Sequence, residues 1–465
     1  MASPMSLTEG SIPRTLLLFS LPILFGNVLQ SLNGSVNAIW VGKFLGPAAL
    51  AAVGNSNVIM FLLFGLLFGF SMAATIMVAQ CTGAKDTAKA KRVVGTSASF
   101  FLALPVALSM VGFLMSHWLV RWMRTPPDAV PSALAYMRII FLALPFMSGL
   151  FFLMAVLRGS GDSKTPFKFL VLAVALDIGL NPLFIFGWGP VPRLGVSGSA
   201  TATLIAQALS LFALIVHLYR TRHYLRIHRN ELGLLRPDWS LVRILVTKGI
   251  PMGLHLFVVS SSMIAMISLV NRFGSLETAA FNAAMQIWNY VQMPALAIAA
   301  AVTSMTAQNV GAGKWERVDR IVASGVTVNF LMSGVLVALF YSINAPLLGL
   351  FLPANGPSVA IAAHLNSIVI WSFIFFGVSL VLYGAVRSTG AVVPPLMMLG
   401  VALWGIRVPF AYLMLDRWQA DAIWWGFPVS SVMSLLMAGT YYRFGNWRRA
   451  HMGTLMARAA PASGA

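Results

Sequence analysis

Long uncharged runs limit the folds open to this chain. A hydrocarbon core about 30 Å thick takes about 20 apolar residues of helix to cross. Residues 15–42, 93–120, 139–157, 194–219 and 249–271 each provide one such stretch. Residues 44–84 carry no charge and leave room for one long helix over Ala48–Cys81. The uncharged run 321–386 is too long for a single crossing, because at about 1.5 Å per residue its helix would be near 100 Å. It must fold back, and Asn344-Ala-Pro346 with Pro353-Ala-Asn-Gly-Pro357 supplies the turn. Stretches 165–188, 278–312, 394–415 and 422–442 bring the expected total to twelve spans. Only 9% of the chain is charged and 58% is apolar, whereas soluble proteins run at about 25% charged. An all-α integral membrane protein is expected, not a soluble enzyme, a disordered chain or a fibre. The single cysteine, Cys81, excludes a disulfide framework and a cysteine-ligated metal cluster, and no metal site is expected. Ser3, Thr8 and Glu9 precede the first apolar run where a cleaved leader would be basic, so that run reads as a span.

The net charge of +19 would suggest nucleic acid in a soluble chain. Here the charges sort by side. Arg14, Lys85, Lys89, Lys91, Arg92, Arg158, Lys164 and Lys168 fall on one side, as do the basic segment Tyr219–Lys248, Lys314, Arg317, Arg320, Arg387, Arg443, Arg448, Arg449 and Arg458. The other side holds Lys43, Arg121, Arg124, Arg193, Arg272 and Arg417. Cytoplasmic loops carry the excess of Lys and Arg. Both termini are therefore expected in the cytoplasm of a multi-pass protein of the plasma (inner) membrane. The lipid bilayer, not nucleic acid, accounts for the charge.

The two halves repeat at a spacing of about 228 residues. Ala79-Gln80-x-x-Gly83-Ala84 returns as Ala307-Gln308-x-x-Gly311-Ala312, and Arg158-x-x-Gly161 as Arg387-x-x-Gly390. Pro22 matches Pro251, Pro166 matches Pro395, and Gly198 matches Gly426. Several groups in one order at one offset indicate duplication. Six spans per repeat is an even number, so two six-helix lobes are expected, related by a pseudo-two-fold axis along the membrane normal. The expected divisions are an N-terminal lobe over 1–218, a basic cytoplasmic linker over 219–248, a C-terminal lobe over 249–446 and a cytoplasmic tail over 447–465. Facing lobes with a mid-membrane cavity would be transporter architecture. No reason for more than a monomer is apparent.

Several motifs resemble the MATE (multidrug and toxic compound extrusion) family. They are Leu21-Pro22, Val41-Gly42-x-x-Leu45-Gly46-x-x-x-Leu50-Ala-Ala-Val-Gly54, Ala79-Gln-x-x-Gly-Ala84, Leu157-Arg-Gly-Ser-Gly-Asp162, Asn181-Pro-Leu-Phe-Ile-Phe-Gly187 and Gln308-Asn-x-Gly-Ala-Gly313. The resemblance covers nearly the whole chain. It implies a secondary antiporter that exports small organic compounds, often cationic or amphipathic, in exchange for protons or sodium ions by alternating access.

Ionisable groups inside a membrane are costly and are functional candidates by default. Asp177 is the one carboxylate deep in a predicted span, and Asn181 lies one helical turn on, on the same face. A carboxylate in low dielectric favours its neutral form and can carry a proton across. The competing reading is a permanent ion pair with Arg138 in the fourth span. Many proton-coupled relatives implied by the resemblance have an aspartate where this chain has Asn37. They also have Asn and Asp in the reverse order at the positions of Asp177 and Asn181. The proton-coupling site is therefore expected to comprise Asp177, Asn33, Asn37 and Asn181. Sodium-coupled relatives have a glutamate where Val259 stands, and Leu365–Val386 holds no aspartate. H⁺ is favoured over Na⁺ as the coupling ion, with no cofactor.

Pro22 interrupts helical hydrogen bonding in the first span. The resemblance implies that this helix bends there, although a static kink would look the same in sequence. Asn282, Gln286 and Asn289 share one face of the eighth span and are expected to line a substrate cavity, with Trp288, Tyr290 and Gln292 adding polar-edged surface. His255 is the histidine placed to join that cavity. Trp404, Trp418, Trp424, Trp425 and Trp447 read as interfacial anchors. No phosphate-binding G-x-x-x-x-G-K-[ST] loop occurs, so ATP is not an expected driver. Two other functions compete. One is export or flipping of a dedicated metabolite or lipid-linked substrate. The other, more remote, is an intramembrane aspartyl protease built on Gly159-Ser-Gly-Asp162 with Asp177.

Overall fold

The computed structural model describes residues 5–123, 125–127, 129–187, 192–353, 356–450 and 452. Arg124, Arg458, the two central residues of the 353–357 turn and the tail beyond 452 lie outside the described residues. In order, the helices are α1 (Ile12–Leu45), α2 (Pro47–Gly83), α3 (Thr87–Trp122), α4 (Val130–Gly159), α5 (Lys164–Phe186) and α6 (Val196–Arg220). They continue as α7 (Trp239–Val270), α8 (Ser275–Gly311), α9 (Trp315–Ser342), the short α10 (Asn344–Leu348), α11 (Pro357–Val369) and α12 (Ser372–Arg387). The last are α13 (Val393–Gly400), α14 (Val408–Trp418) and α15 (Ala420–Phe444). Val401–Arg407 is a π-helical segment that joins α13 to α14.

Among the described residues, eleven helices or joined runs are long and apolar enough to cross a membrane. The pair α11–α12, bent by 46°, makes a twelfth. The fold-back expected within 321–386 falls between α9 and α11, where α10 fills the connection. Helix ends follow from local chemistry. The Asp86 carboxylate accepts the Lys89 backbone N–H at the start of α3, meeting one of the donors that a helix start leaves open. Gly187, at φ 74°, stops α5 in the left-handed conformation that a side chain would oppose.

The described residues form two compact units. In the first, α4 is central and packs on α2, α3 and α6, with α5 against α6. In the second, α12 packs on α8, α9 and α15, so each unit repeats the same neighbour pattern. The divisions differ from those read in the sequence. The first unit contains Phe25–Ile250, and the second contains Ser6–Leu24 and the described residues from Pro251 onward. Helices α1 and α7 are thus each shared, changing unit beside Pro22 and Pro251.

The segment expected as a linker at 219–248 is not a free tether. Its 3-10 turn Arg229–Leu235 packs on α3, where a Cβ on Gly95 would collide with the Leu234 carbonyl. Lys91 Nζ lies 2.8 Å from Glu231 Oε1 and Arg92 Nη2 lies 2.8 Å from Asp238 Oδ2. The His228 backbone N–H and Lys91 hold the Glu231 carboxyl below its usual range. The tail also begins inside the second unit. Trp447 is buried, its carbonyl accepts Thr389 Oγ1–H at 2.9 Å, and Arg448 pairs with Asp319 at 2.8 Å.

Two of the five expected tryptophan anchors are core residues. Trp424 stacks on Phe281 with centroids 5.6 Å apart, and Trp447 stacks on Tyr442 at 5.0 Å. Burial of such large rings outweighs an interfacial position when a helix turns them inward. Trp404, Trp418 and Trp425 are exposed.

Candidate functional site

Asp177 sits midway along α5 and is only 2% exposed. Its carboxylate is held from two neighbouring helices. Asn33 Nδ2 on α1 donates to Oδ2 and Thr203 Oγ1 on α6 donates to Oδ1, each at 2.9 Å. One turn along α1, Asn37 Oδ1 accepts Ser199 Oγ–H at 2.7 Å. Asn33/Asn37 and Ser199/Thr203 are both i,i+4 pairs, so α1 and α6 contribute two successive polar rungs. Asn181 Nδ2 donates back to the Asp177 backbone carbonyl at 2.8 Å, leaving Asn181 Oδ1 buried without a donor among the described residues. The next residue is Pro182, which lacks an N–H and withdraws the helical donor from the Ile178 carbonyl. Tyr136, buried on α4, lies within electrostatic range of Asp177. Trp40 and Phe44 of α1 and Phe186 of α5 pack ring to ring at 5.2–6.0 Å, which makes the site apolar toward the C-terminal end of α5.

All four residues of the expected coupling site, Asp177, Asn33, Asn37 and Asn181, therefore come together. The competing ion pair is not formed. Arg138 Nε donates to Ser116 Oγ at 3.2 Å and its guanidinium lies over Phe113. No salt bridge to Asp177 occurs among the described residues. Asp177 is also the only buried carboxylate among them. Sequence reasoning missed Thr203 and Ser199. The signal for them was the i,i+4 spacing within Ser197-Gly-Ser-Ala-Thr-Ala-Thr203, which reads equally well as ordinary small-residue helix packing.

Asp162, the acid of the protease reading, accepts the Lys164 and Thr165 backbone N–H groups at 3.0 and 2.9 Å, where α5 begins. It precedes α5, and the helical rise from Lys164 to Asp177 alone is about 20 Å along the axis. A carboxylate dyad that shares a proton cannot form at that separation.

In the second unit, Asn282, Gln286 and Asn289 lie together on the exposed face of α8, opposite the buried Phe281, Ala284, Ile287 and Trp288. Trp288 corrects an expectation. It is 1% exposed and donates from Nε1 to Asn366 Oδ1 at 3.0 Å, so its indole N–H is used inside the core. The Asn366 amide in turn donates to Asn344 at 2.9 Å. His255 is half-buried on α7 and within electrostatic range of Arg387. Pro22 lies inside an unbroken α1.

The MatE family model matches residues 22–183 and again 251–413. Both matches begin at the repeated prolines. The probable multidrug resistance protein YoeA of Bacillus subtilis is 35% identical over 94% of this chain and 95% of its own length. A second protein of the same organism, the probable multidrug resistance protein YpnP, is 30% identical over 95% of this chain and 97% of its own. The crystal structure of a MATE protein in the bent conformation matches with TM-score 0.85 at 23% identity, covering 99% of this chain and 100% of the other. That likeness establishes the fold.

Proposed function

Because this chain belongs to the MatE family of multidrug efflux transporters, we propose that it is a secondary antiporter that exports small organic cations or amphipaths in exchange for protons through Asp177. It is a multi-pass membrane protein that carries small molecules, and not an enzyme. The observation that carries the coupling assignment is a buried carboxylate held by two uncharged donors and no cation. A permanent salt bridge would fix the charge. Neutral donors leave Asp177 able to gain and lose a proton.

Deprotonated, the carboxylate is satisfied by Asn33 and Thr203. Protonated, it acquires an O–H that must itself find an acceptor. The unpaired Asn181 Oδ1 and the rotatable Thr203 hydroxyl supply acceptors within one turn. Both protonation states thus have hydrogen-bond partners, and they differ in their demands on α1. Loss of the charge weakens the bond from Asn33 and frees the segment of α1 beyond Pro22. Protons are favoured over sodium because Asn33 and Thr203 present hydrogens to the site, while a Na⁺ cage needs several converging oxygens. The exposed polar stripe Asn282, Gln286 and Asn289 supports a water-facing substrate surface on α8, since polar groups on a span avoid lipid. The excess of Lys and Arg on one side supports cytoplasmic termini in the plasma (inner) membrane. A monomer is the proposed working unit.

The test is purified protein in liposomes with a fluorescent cationic dye, under an imposed pH gradient and then an imposed Na⁺ gradient. Dye should move with the pH gradient, and Asp177→Asn should abolish movement while still inserting and folding. Movement driven by Na⁺ alone, or full activity of Asp177→Asn, overturns the assignment. Failure of both gradients to move any dye would favour a dedicated substrate.

A further inference from the structure

The second unit holds a buried cation that the coupling chemistry does not use. Arg407 is the last residue of the π-helical segment Val401–Arg407 and is 7% exposed. Its Nε–H donates to Ser430 Oγ at 2.9 Å and its guanidinium lies 4.4 Å from the Phe427 ring centre. A guanidinium carries five N–H donors and keeps its charge. Among the described residues, the terminal Nη groups make no hydrogen bond, and no salt bridge reaches Arg407. Among the acids of this unit, Glu9 precedes α1, and Glu277, Glu316, Asp319, Asp416 and Asp421 lie within five residues of a helix end. Arg407 faces a cavity of about 50 Å³, whose other polar walls are Gln292, Ser372 and Ser431.

The repeat explains why the cavity sits there. Asp177 lies eleven residues beyond Pro166, and Arg407 lies twelve beyond Pro395. A π segment closes i→i+5 bonds in place of i→i+4, which takes up one extra residue. Arg407 therefore falls on the helical rung that Asp177 occupies in the first repeat. Thr203, a donor to Asp177, lies five residues beyond Gly198, and Ser431 lies five beyond Gly426. Asn33 lies eleven beyond Pro22, and Ser262 eleven beyond Pro251. Ser262 is fully buried, and its hydroxyl has no partner among the described residues. At the duplicated position the charge is reversed, and Ser431, the counterpart of Thr203, lines the same cavity.

We propose that the cavity beside Arg407 is a binding site for one small monoanionic group, either a free halide or the carboxylate head of an organic anion. A buried cation is costly unless its donors are paired or hydrogen-bonded, and the Nη groups of Arg407 have no such partner among the described residues. About 10–15 Å³ of such space holds one water, so the cavity admits a group of about three to five heavy atoms. Ser431 Oγ–H and the second N–H of the Gln292 amide can donate to the same anion, while Ser372 Oγ–H is committed to the Val369 carbonyl at 2.7 Å. The site is distinct from the proton-coupling reading and does not rest on it.

Thermal unfolding of the purified full chain in lipid nanodiscs tests it, at constant ionic strength in sodium HEPES, with chloride, acetate or hexanoate as the probe. The midpoint should rise saturably with chloride or acetate, and Arg407→Gln should abolish the rise. Ser430→Ala, which keeps the charge and guards against a misfolded Arg407→Gln, should weaken the apparent affinity about tenfold. Tighter binding of hexanoate than of chloride identifies an organic carboxylate as the occupant, and the reverse order a free halide. No saturable rise in the wild type, or an equal rise in Arg407→Gln, overturns the proposal. Because binding is read without transport, its failure is distinguishable from failure of proton coupling.

Discussion

A single buried carboxylate among the described residues sets a stoichiometry that can be measured. If Asp177 carries the only coupled proton, exchange with a monovalent cation is one for one. One pH unit is worth 1.36 kcal/mol per proton. Vesicles buffered one unit more acidic inside should then concentrate a monovalent dye about tenfold in the lumen. The exchange moves no net charge, so clamping the membrane potential with potassium and valinomycin should leave that ratio unchanged. Asp177→Asn should bring the ratio to one. Little stability should be lost, because two effects oppose. Removing a carboxylate from mid-membrane relieves about 2.5–3.5 kcal/mol. The weakened bonds from Asn33 and Thr203 cost about 1.5–3 kcal/mol each at most, and an amide oxygen still accepts one of them. The variant should therefore insert and elute as the wild type does. A hundredfold ratio, a dependence on potential, or a ratio above one in Asp177→Asn would refute the assignment of one proton to one residue.

Three further outcomes follow from packing and charge. Gly198→Ala places a Cβ against the Phe184 carbonyl, whereas at the repeat-related Gly426 the nearest atom would be 3.3 Å away. Thermal unfolding should show a loss of about 1–3 kcal/mol for Gly198→Ala and clearly less for Gly426→Ala. Trp288→Phe removes the donor to Asn366 within a buried network and should cost about 1–3 kcal/mol from the unpaired oxygen alone, read from the same unfolding curves. The Glu231 carboxyl titrates below its unfolded value because His228 N–H and Lys91 hold it. The contribution to docking is therefore present above about pH 4.3 and is lost as pH falls through the lower folded value. A spin label at the exposed Leu232 should gain mobility as pH falls below about 4.3 and should already be mobile at pH 7 in Glu231→Gln. An unchanged spectrum in that variant would show that the ion pair does not hold the segment.

The sequence by itself determined the class of the molecule. Hydrophobic length is a local property: a run either spans about 30 Å or it does not. The twelve crossings, the fold-back within 321–386 and the duplication were therefore legible without coordinates. Asp177 was legible for a related reason, since one acid in an apolar run stands out wherever the run folds. Relations between distant segments were not legible. Thr203 joined the site only when α6 packed on α5, because a threonine in a span pairs with its own helix as readily as with a neighbour. Trp424 and Trp447 look like surface anchors in sequence, and helix rotation in the packed unit turned them into core. The segment 219–248 reads as a basic linker by charge, yet Lys91–Glu231, Arg92–Asp238 and the gap over Gly95 fix it to α3. Arg407 falls inside the apolar stretch 394–415, but its rung is not legible there. A π segment shifts the register by one residue, and only backbone hydrogen bonding in the folded helix decides where that extra residue is absorbed.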